Sequence, residues 1–210
     1  MTDGYFILED GEQTGPYTFD ELTELEIDIH TRILPPNTDS WQDACDLPEL
    51  YPYFEAQGIY LPTGDNLASF GWRFLAFIID VIVLSFLMDF ILGVLILNGV
   101  SIKLHSYNDI FKIPKAELQY LTLITLLTLI VYNAICEASP MRGSIGKRIL
   151  KIVVVDIDGI RLSFFNALLR SIGKAASIYF LYLGFLSILF TEYRQAVHDL
   201  LAKTYVVKRD

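Results

Sequence analysis

A chain of 210 residues with 53% apolar and 20% charged residues and a mean hydropathy of +0.42 is too apolar for an ordinary soluble domain. Its net charge of −9 is unevenly placed: residues 1–68 hold fifteen Asp/Glu and one basic residue (Arg32), a balance of −14, whereas residues 69–210 hold ten acidic and fifteen basic residues, a balance of +5. The asymmetry indicates an acidic module joined to a membrane part, and excludes nucleic acid as a partner because the acidic part would repel phosphates.

Cys45 and Cys136 fall in different parts of the chain, which excludes a disulfide-stapled scaffold. The opening residues Met1–Phe6 carry neither a basic nor an apolar leader region. The acidic module is therefore expected to remain in the cytoplasm.

Residues 1–55 read as a small α+β module. Tyr5-Phe6-Ile7-Leu8 is a β-favouring run closed by the turn signal Glu9-Asp10-Gly11. After Gly15-Pro16-Tyr17, Thr18 or Asp20 is placed to cap a helix over Phe19–Leu25, with Leu22, Leu25 and Ile29 as its buried stripe. Thr31-Arg32-Ile33-Leu34 is a further strand, stopped by Pro35-Pro36. Trp41 to Leu50 supplies a last short turn or helix. Gly15-Pro16-Tyr17, Glu21-Leu22, the Thr31–Pro35 strand, Trp41, Ala44 and Leu47-Pro48-Glu49-Leu50 stand in an order that resembles the bacterial variant of the GYF domain. The resemblance implies binding of proline-rich peptides. Aromatic-lined grooves hold the preformed polyproline helix, and Pro16, Tyr17 and Trp41 are the expected groove residues. Tyr5, Tyr17, Phe19 and Trp41 are equally what a 55-residue core would bury. The acidic surface implies a basic partner.

Residues 56–68 carry Gly, Pro and Asn without periodicity and read as a linker. From residue 69 onward the chain reads as a helical membrane domain. Phe70–Leu97 and residues 118–136 are each long and apolar enough to cross about 30 Å of hydrocarbon. The 137–174 segment holds seven basic residues and the 98–117 loop three, which predicts that the former faces the cytoplasm and the latter outward. Lys147, Arg148, Arg170 and Lys174 are expected to meet anionic lipid headgroups, each contributing on the order of 1 kcal/mol. Phe164–Lys174 is amphipathic and suits the membrane interface.

Ile152–Val155 and Thr204–Lys208 read as strands that pair as a small cytoplasmic β element. That pairing would return the C-terminus to the cytoplasm. The apolar stretch 175–190 would then dip into the membrane and return; a third crossing is the alternative.

An ionisable residue at mid-helix in a membrane costs about 2.5–3.5 kcal/mol and is a functional candidate by default. Arg73 and Asp80 lie two turns apart on one helix face, about 10 Å along the axis, so each needs another partner. Arg73 could equally snorkel to the headgroups. Arg73-Phe-Leu-Ala-Phe-Ile-Ile-Asp80, Gly143-Ser-Ile-Gly146-Lys147-Arg148, Ile152–Gly159, Leu162-Ser163-Phe164 with Asn166–Arg170, and His198-Asp199-Leu200-Leu201-Ala202-Lys203-Thr204 together resemble the RDD family of bacterial membrane proteins. The resemblance implies that Arg73, Asp80 and Asp199 cluster, with Asp199 on the cytoplasmic side reaching Arg73. It also implies a bacterial inner-membrane location with several passes. Lys203 departs from the family, which often has glycine there.

A static clamp is the favoured role for that cluster over an ion path. Gly146-Lys147 is not a phosphate loop, because Met141 stands where a glycine is needed and Arg148 where Ser or Thr is needed. His30, His105 and His198 show no metal-ligand spacing, and adjacent helix positions should keep His198 and Asp199 apart. Neither a cofactor nor enzymatic activity is expected. The leading expectation is a membrane scaffold whose module recruits a cytoplasmic protein. Ion or solute transport is the alternative, and it would require a homo-oligomer, since two or three spans cannot enclose a pathway.

Overall fold

The structure is a computed structural model that describes residues 4–9, 11–99, 114–179 and 183–209. It divides into two compact units: Met1–Leu61 with Ile157–Ile160, and Pro62–Asp156 with Arg161–Asp210.

In the first unit, β1 (Tyr5–Glu9), β2 (Glu12–Tyr17), β3 (Arg32–Leu34) and β4 (Gln42–Asp43) form an antiparallel sheet in the order β2-β1-β3-β4. Gly11, at φ 83°, makes the β1–β2 turn that a residue with a side chain adopts only under strain. The strand β2 carries no strand signal in its sequence, because Glu12-Gln13-Thr14-Gly15-Pro16-Tyr17 has no apolar alternation. It lies at a sheet edge and is mostly exposed, so no alternation is demanded of it.

Helix α1 (Phe19–Glu24) is shorter than expected, and Ile29 does not belong to it. Leu22 is buried, Leu25 is 36% exposed after the helix has ended, and Ile29 enters the core from the following loop. At its start Thr18 Oγ1 accepts from the Glu21 amide at 3.3 Å while the Glu21 carboxylate accepts from the Thr18 amide at 2.8 Å. This reciprocal cap satisfies two amides that a helix start would otherwise leave without partners. Thr18→Ala should weaken α1 by about 1 kcal/mol. Amide exchange at Leu22 and Thr23 in the full chain should quicken roughly five-fold, and Thr18→Ser should restore it.

The core comprises Ile7, Leu22, Ile33, Leu50 and Phe54, all fully buried, with Phe54 supplied by helix α2 (Tyr51–Ala56). Leu61 packs on the same core. A domain this small leans on a few large side chains.

The second unit is built on two long helices, α3 (Phe70–Leu97) and α4 (Lys115–Ala138). Phe70–Phe90 and Leu118–Ala138 are 21-residue stretches apolar enough to cross a membrane, and among the described residues they are the two that meet that test. At 1.5 Å per residue each spans about 32 Å. Their outward faces are apolar: Phe86 is 70% exposed and Ile135 is 57% exposed. Water would not tolerate so continuous an apolar surface, whereas lipid does. Residues 100–113, the bulk of the loop expected to face outward, lie outside the described residues.

Helix α5 (Ile145–Ile149), strand β5 (Ile152–Val155), helix α6 (Phe164–Tyr179), helix α7 (Leu183–Leu186), a 3-10 turn at Ser187–Leu189, helix α8 (Val197–Leu201) and strand β6 (Tyr205–Lys208) complete the unit. β5 and β6 pair antiparallel, Val153 opposite Val207 and Val154 opposite Val206, as the two apolar runs predict. The segment entering α3 adds to the free edge of β6: the Ala68 amide donates to Val206 O at 2.8 Å and the Lys208 amide to Asn66 O at 2.7 Å. Within 175–190, α6 ends at Tyr179, short helical pieces follow, and residues 180–182 lie outside the described residues. Lys203 sits at φ 50°, a left-handed conformation that suits glycine, which explains the family's preference at this turn.

Candidate functional site

Packed between α3, α4, α5, α6 and α8 is a set of buried charges. Asp199, in α8, is 0% exposed, and Arg170, in α6, is 2% exposed. Arg170 donates from Nη2 to Asp199 Oδ1 at 2.5 Å and from Nη1 to Glu137 Oε1 at 2.5 Å, and its Nε reaches Asp199 Oδ1 at 2.9 Å and Thr204 Oγ1 at 3.2 Å. The other Asp199 oxygen accepts from Arg73 Nη1 and from the Ala196 amide. Arg73 is completed by two carbonyls, Ala68 O at 3.1 Å and Arg194 O at 2.7 Å. Glu137 Oε1 also accepts from Lys147 Nζ at 2.6 Å. Charges therefore alternate along Arg73, Asp199, Arg170, Glu137 and Lys147, tying the start of α3 to the ends of α4 and α8.

Asp80 stands apart from that chain. Its Oδ1 accepts from the Tyr132 hydroxyl at 2.9 Å and from the Gly146 amide at 2.8 Å, while Tyr132 Oη accepts from the Ile145 amide at 3.0 Å. The first two amides of α5, which have no partner within their own helix, are thus satisfied by one side chain from α3 and one from α4. Gly146 allows this approach: a Cβ there would overlap the Ala76 carbonyl oxygen and crowd the Asp80 carboxyl carbon at 3.1 Å.

The structure brings Arg73 to Asp199 as the resemblance implies, but corrects the expected cluster at Asp80, which is held apart by Tyr132 and Gly146. The expected headgroup contacts need correction at Lys147 and Arg170. Lys147 and Arg170 are buried in ion pairs, Lys174 is half-buried and donates to Asn133 Oδ1 at 2.8 Å, and of the four only Arg148 is exposed. The physical reason is that α6 is amphipathic in the inverse sense. Its polar stripe faces protein, and Phe165 (72% exposed), Leu169 and Ile172 face outward. Sequence periodicity locates the two faces but not which of them the protein covers.

His198 was expected to point away from Asp199, yet its Nε2 lies 3.5 Å from Asp199 Oδ1, since both line the interior side of a single-turn helix. Its Nδ1 has no partner among the described residues. Glu137, Asn133 and Tyr132 are site residues that the sequence does not single out, and Lys147 is one to which it assigns a different partner. A carboxylate at the C-terminal end of a predicted span and a Gly-Lys turn ten residues later were the signals available.

In the first unit, Tyr17 is paired opposite Tyr5, whose ring lies 6.1 Å from that of Phe19. Tyr5 and Tyr17 pack on the core, while Pro16 and Phe19 are exposed. Trp41 leads into β4, at the opposite sheet edge from β2, about 14 Å away at the usual strand spacing. Pro16 and Tyr17 are therefore neighbours, and Trp41 is not adjacent to them. His30, Asp43 and Cys45, which show no ligand spacing in sequence, bring their ligand atoms within 4.8 Å of one another, although Asp43 is ion-paired with Arg32 at 3.3 Å.

Burial lowers the His198 pKa to about 3 in spite of the neighbouring Asp199 carboxylate, so the ring is neutral when folded. Arg170 and Arg73 hold the Asp199 carboxyl well below the usual carboxylate range against the opposing effect of burial. Unfolded histidine protonates near pH 6.5. As pH falls from 6.5 towards 4.5 the unfolded chain takes up a proton that folded His198 refuses. Stability should therefore fall with a slope approaching about 1.4 kcal/mol per pH unit. Asp199 adds its own loss below about pH 4, where the unfolded carboxylate protonates. Unfolding midpoints in detergent between pH 7 and 4.5 should show this slope, and His198→Gln should flatten it.

Residues 67–203 match the RDD family, and residues 5–50 match GYF domain 2. The chain is also 32% identical over 146 residues to "Uncharacterized protein YxaI" of Bacillus subtilis (strain 168), an alignment that covers 67% of this chain and 96% of that protein. No solved structure matches it. With nearly two thirds of its length, including the whole buried cluster, inside that match, the chain belongs to the RDD family.

Proposed function

We propose that the chain is a membrane-anchored recruitment protein of the bacterial inner membrane. The helical domain holds it in the bilayer, and the acidic GYF-type module, on the cytoplasmic side, takes a basic, proline-rich segment of a cytoplasmic protein through the surface around Pro16 and Tyr17. No catalytic step is involved. The observation that carries this reading is the commitment of Asp80 and Asp199: each accepts from neighbouring elements on both sides and acts as a structural tie. A carrier carboxylate must instead exchange its partners for cargo. The orientation is supported by the seven basic residues of 137–174.

Binding of a labelled basic proline-rich peptide to the full chain in nanodiscs tests the reading. Tyr17→Ala should weaken it at least ten-fold. Absence of binding across a set of such peptides overturns it.

Transport is favoured by one specific observation, namely that Asp80 lines a cavity. In proteoliposomes the wild type should move neither Na⁺ nor H⁺. Asp80→Asn should cost about 1–3 kcal/mol of stability, because the Gly146 and Tyr132 donors lose their charged acceptor. Ion flux in the wild type that vanishes in a folded Asp80→Asn protein would establish transport instead.

A further inference from the structure

The second unit contains a cavity of about 190 Å³ whose wall is aromatic (Phe70, Phe74, Phe77, Phe185) and whose floor is charged (Arg73, Asp80, Lys147, Arg170, Lys174, His198). Its floor is unbalanced. Arg73, Lys147, Arg170 and Lys174 bring four formal positive charges to the cluster, against three negative charges from Asp80, Glu137 and Asp199. The chain of ion pairs uses Arg73, Arg170 and Lys147. The remaining cation, Lys174, bonds to the neutral Asn133 amide and has no ion pair among the described residues. Beside it on the wall, His198 is 3% exposed and its Nδ1 has no partner among the described residues. Lys174 is attracted by Glu137, Asp80 and Asp199 without direct contact, so the excess positive charge belongs to the cluster as a whole, and the buried polar atom without a partner is costly in itself.

The cavity lies at the start of the first candidate span, where lipid headgroups would meet it. Three of its wall residues, Phe70, Phe74 and Phe77, belong to the first two turns of the first span, and Lys174 belongs to the helix whose outward face is apolar. An occupant anionic at one end would offset the excess positive charge of the cluster through Lys174, which bonds directly only to a neutral amide, and an apolar other end would cover the phenylalanines. Such an occupant also has to be within reach from the membrane plane.

We propose that this cavity is a binding site for one anionic glycerophospholipid of the phosphatidylglycerol type, with the phosphate at Lys174, a headgroup hydroxyl at His198 Nδ1 and the start of an acyl chain along Phe70, Phe74 and Phe77. The match is of charge and shape together. A zwitterionic lipid would bring its own cation to a floor that already has one in excess. Arg170 and Arg73 are held by Asp199 and supply the surrounding positive field without leaving their pairs.

The test is native mass spectrometry of the full chain, extracted in mild detergent and then titrated with phosphatidylglycerol or phosphatidylcholine of matched acyl chains. The wild type should retain one lipid and prefer phosphatidylglycerol by about ten-fold or more. Lys174→Gln, which leaves every ion pair intact, should reduce that preference to within two-fold, and Lys174→Arg should keep it. Equal affinity of the wild type for the two lipids overturns the proposal without any variant. An unchanged preference in Lys174→Gln overturns it as well. Displacement of the lipid by millimolar glycerol phosphate would identify a site for free phosphate, which also sinks the lipid assignment.

Discussion

Asp199→Ala should be the most damaging single substitution in the membrane domain, with an expected loss of about 3–5 kcal/mol. The magnitude follows from what the carboxylate holds. Three donors from Arg170 and Arg73 converge on it, and its backward bond to the Ala196 amide fixes the start of α8. Arg170 is 2% exposed and would keep only Glu137 as counter-charge, and Arg73 would keep two carbonyls. Arg170 cannot reach water without opening the packing, so this desolvated cation remains buried with less compensation, whereas Arg73 keeps a partly exposed edge. Unfolding by SDS titration, followed by helix content, should show an earlier midpoint. Amides of α8 should exchange faster than those of α4, because this carboxylate fixes the start of α8. Arg73→Ala alone should cost less, since Asp199 keeps Arg170. The double variant should show a coupling energy of about 1–3 kcal/mol. Additive losses would mean that the Arg73–Asp199 pair does not dock the tail.

The features legible in the sequence share one property: a single segment encodes them. The Phe70–Leu97 run, the Thr18–Glu21 cap and the apolar strands Ile152–Val155 and Tyr205–Lys208 each carry their signal locally. Arg73 and Asp199 came from family motifs at the two ends of the domain. What stayed hidden depends on a partner supplied by the fold. Lys147 and Arg170 look like surface cations until Glu137 and Asp199 arrive beside them. The strand β2 has no pattern because its edge position imposes none. The α1 stripe was extended to Ile29 because a residue entering the core from a loop can match helical spacing by coincidence. Asp80 was legible as buried, but its partners were not. One of them is a backbone amide, which has no letter in the sequence.

Gly146→Ala should have the second largest effect, at least about 3 kcal/mol, and it would add a single methyl group. Overpacking a close contact costs typically 1–3 kcal/mol when side chains can shift. Here the obstacle is the Ala76 carbonyl of α3, a backbone atom within a long helix, and Ala76 itself is 1% exposed. Relief requires α5 to move away from α3. That movement breaks the Gly146 amide bond to Asp80 and draws the Ile145 amide away from Tyr132. The added methyl group therefore removes polar contacts as well as apolar ones. Alanine is otherwise the better helix former by about 1 kcal/mol, so a gain in stability would show that α5 does not approach α3 this closely. Asp80→Asn removes the carboxylate and keeps the close packing. It should be the milder of the two by at least about 1 kcal/mol in the same unfolding assay. The reverse ranking would mean that the charge of Asp80, and not the contact between α3 and α5, holds this corner of the domain together, and the case for an ion path would strengthen accordingly.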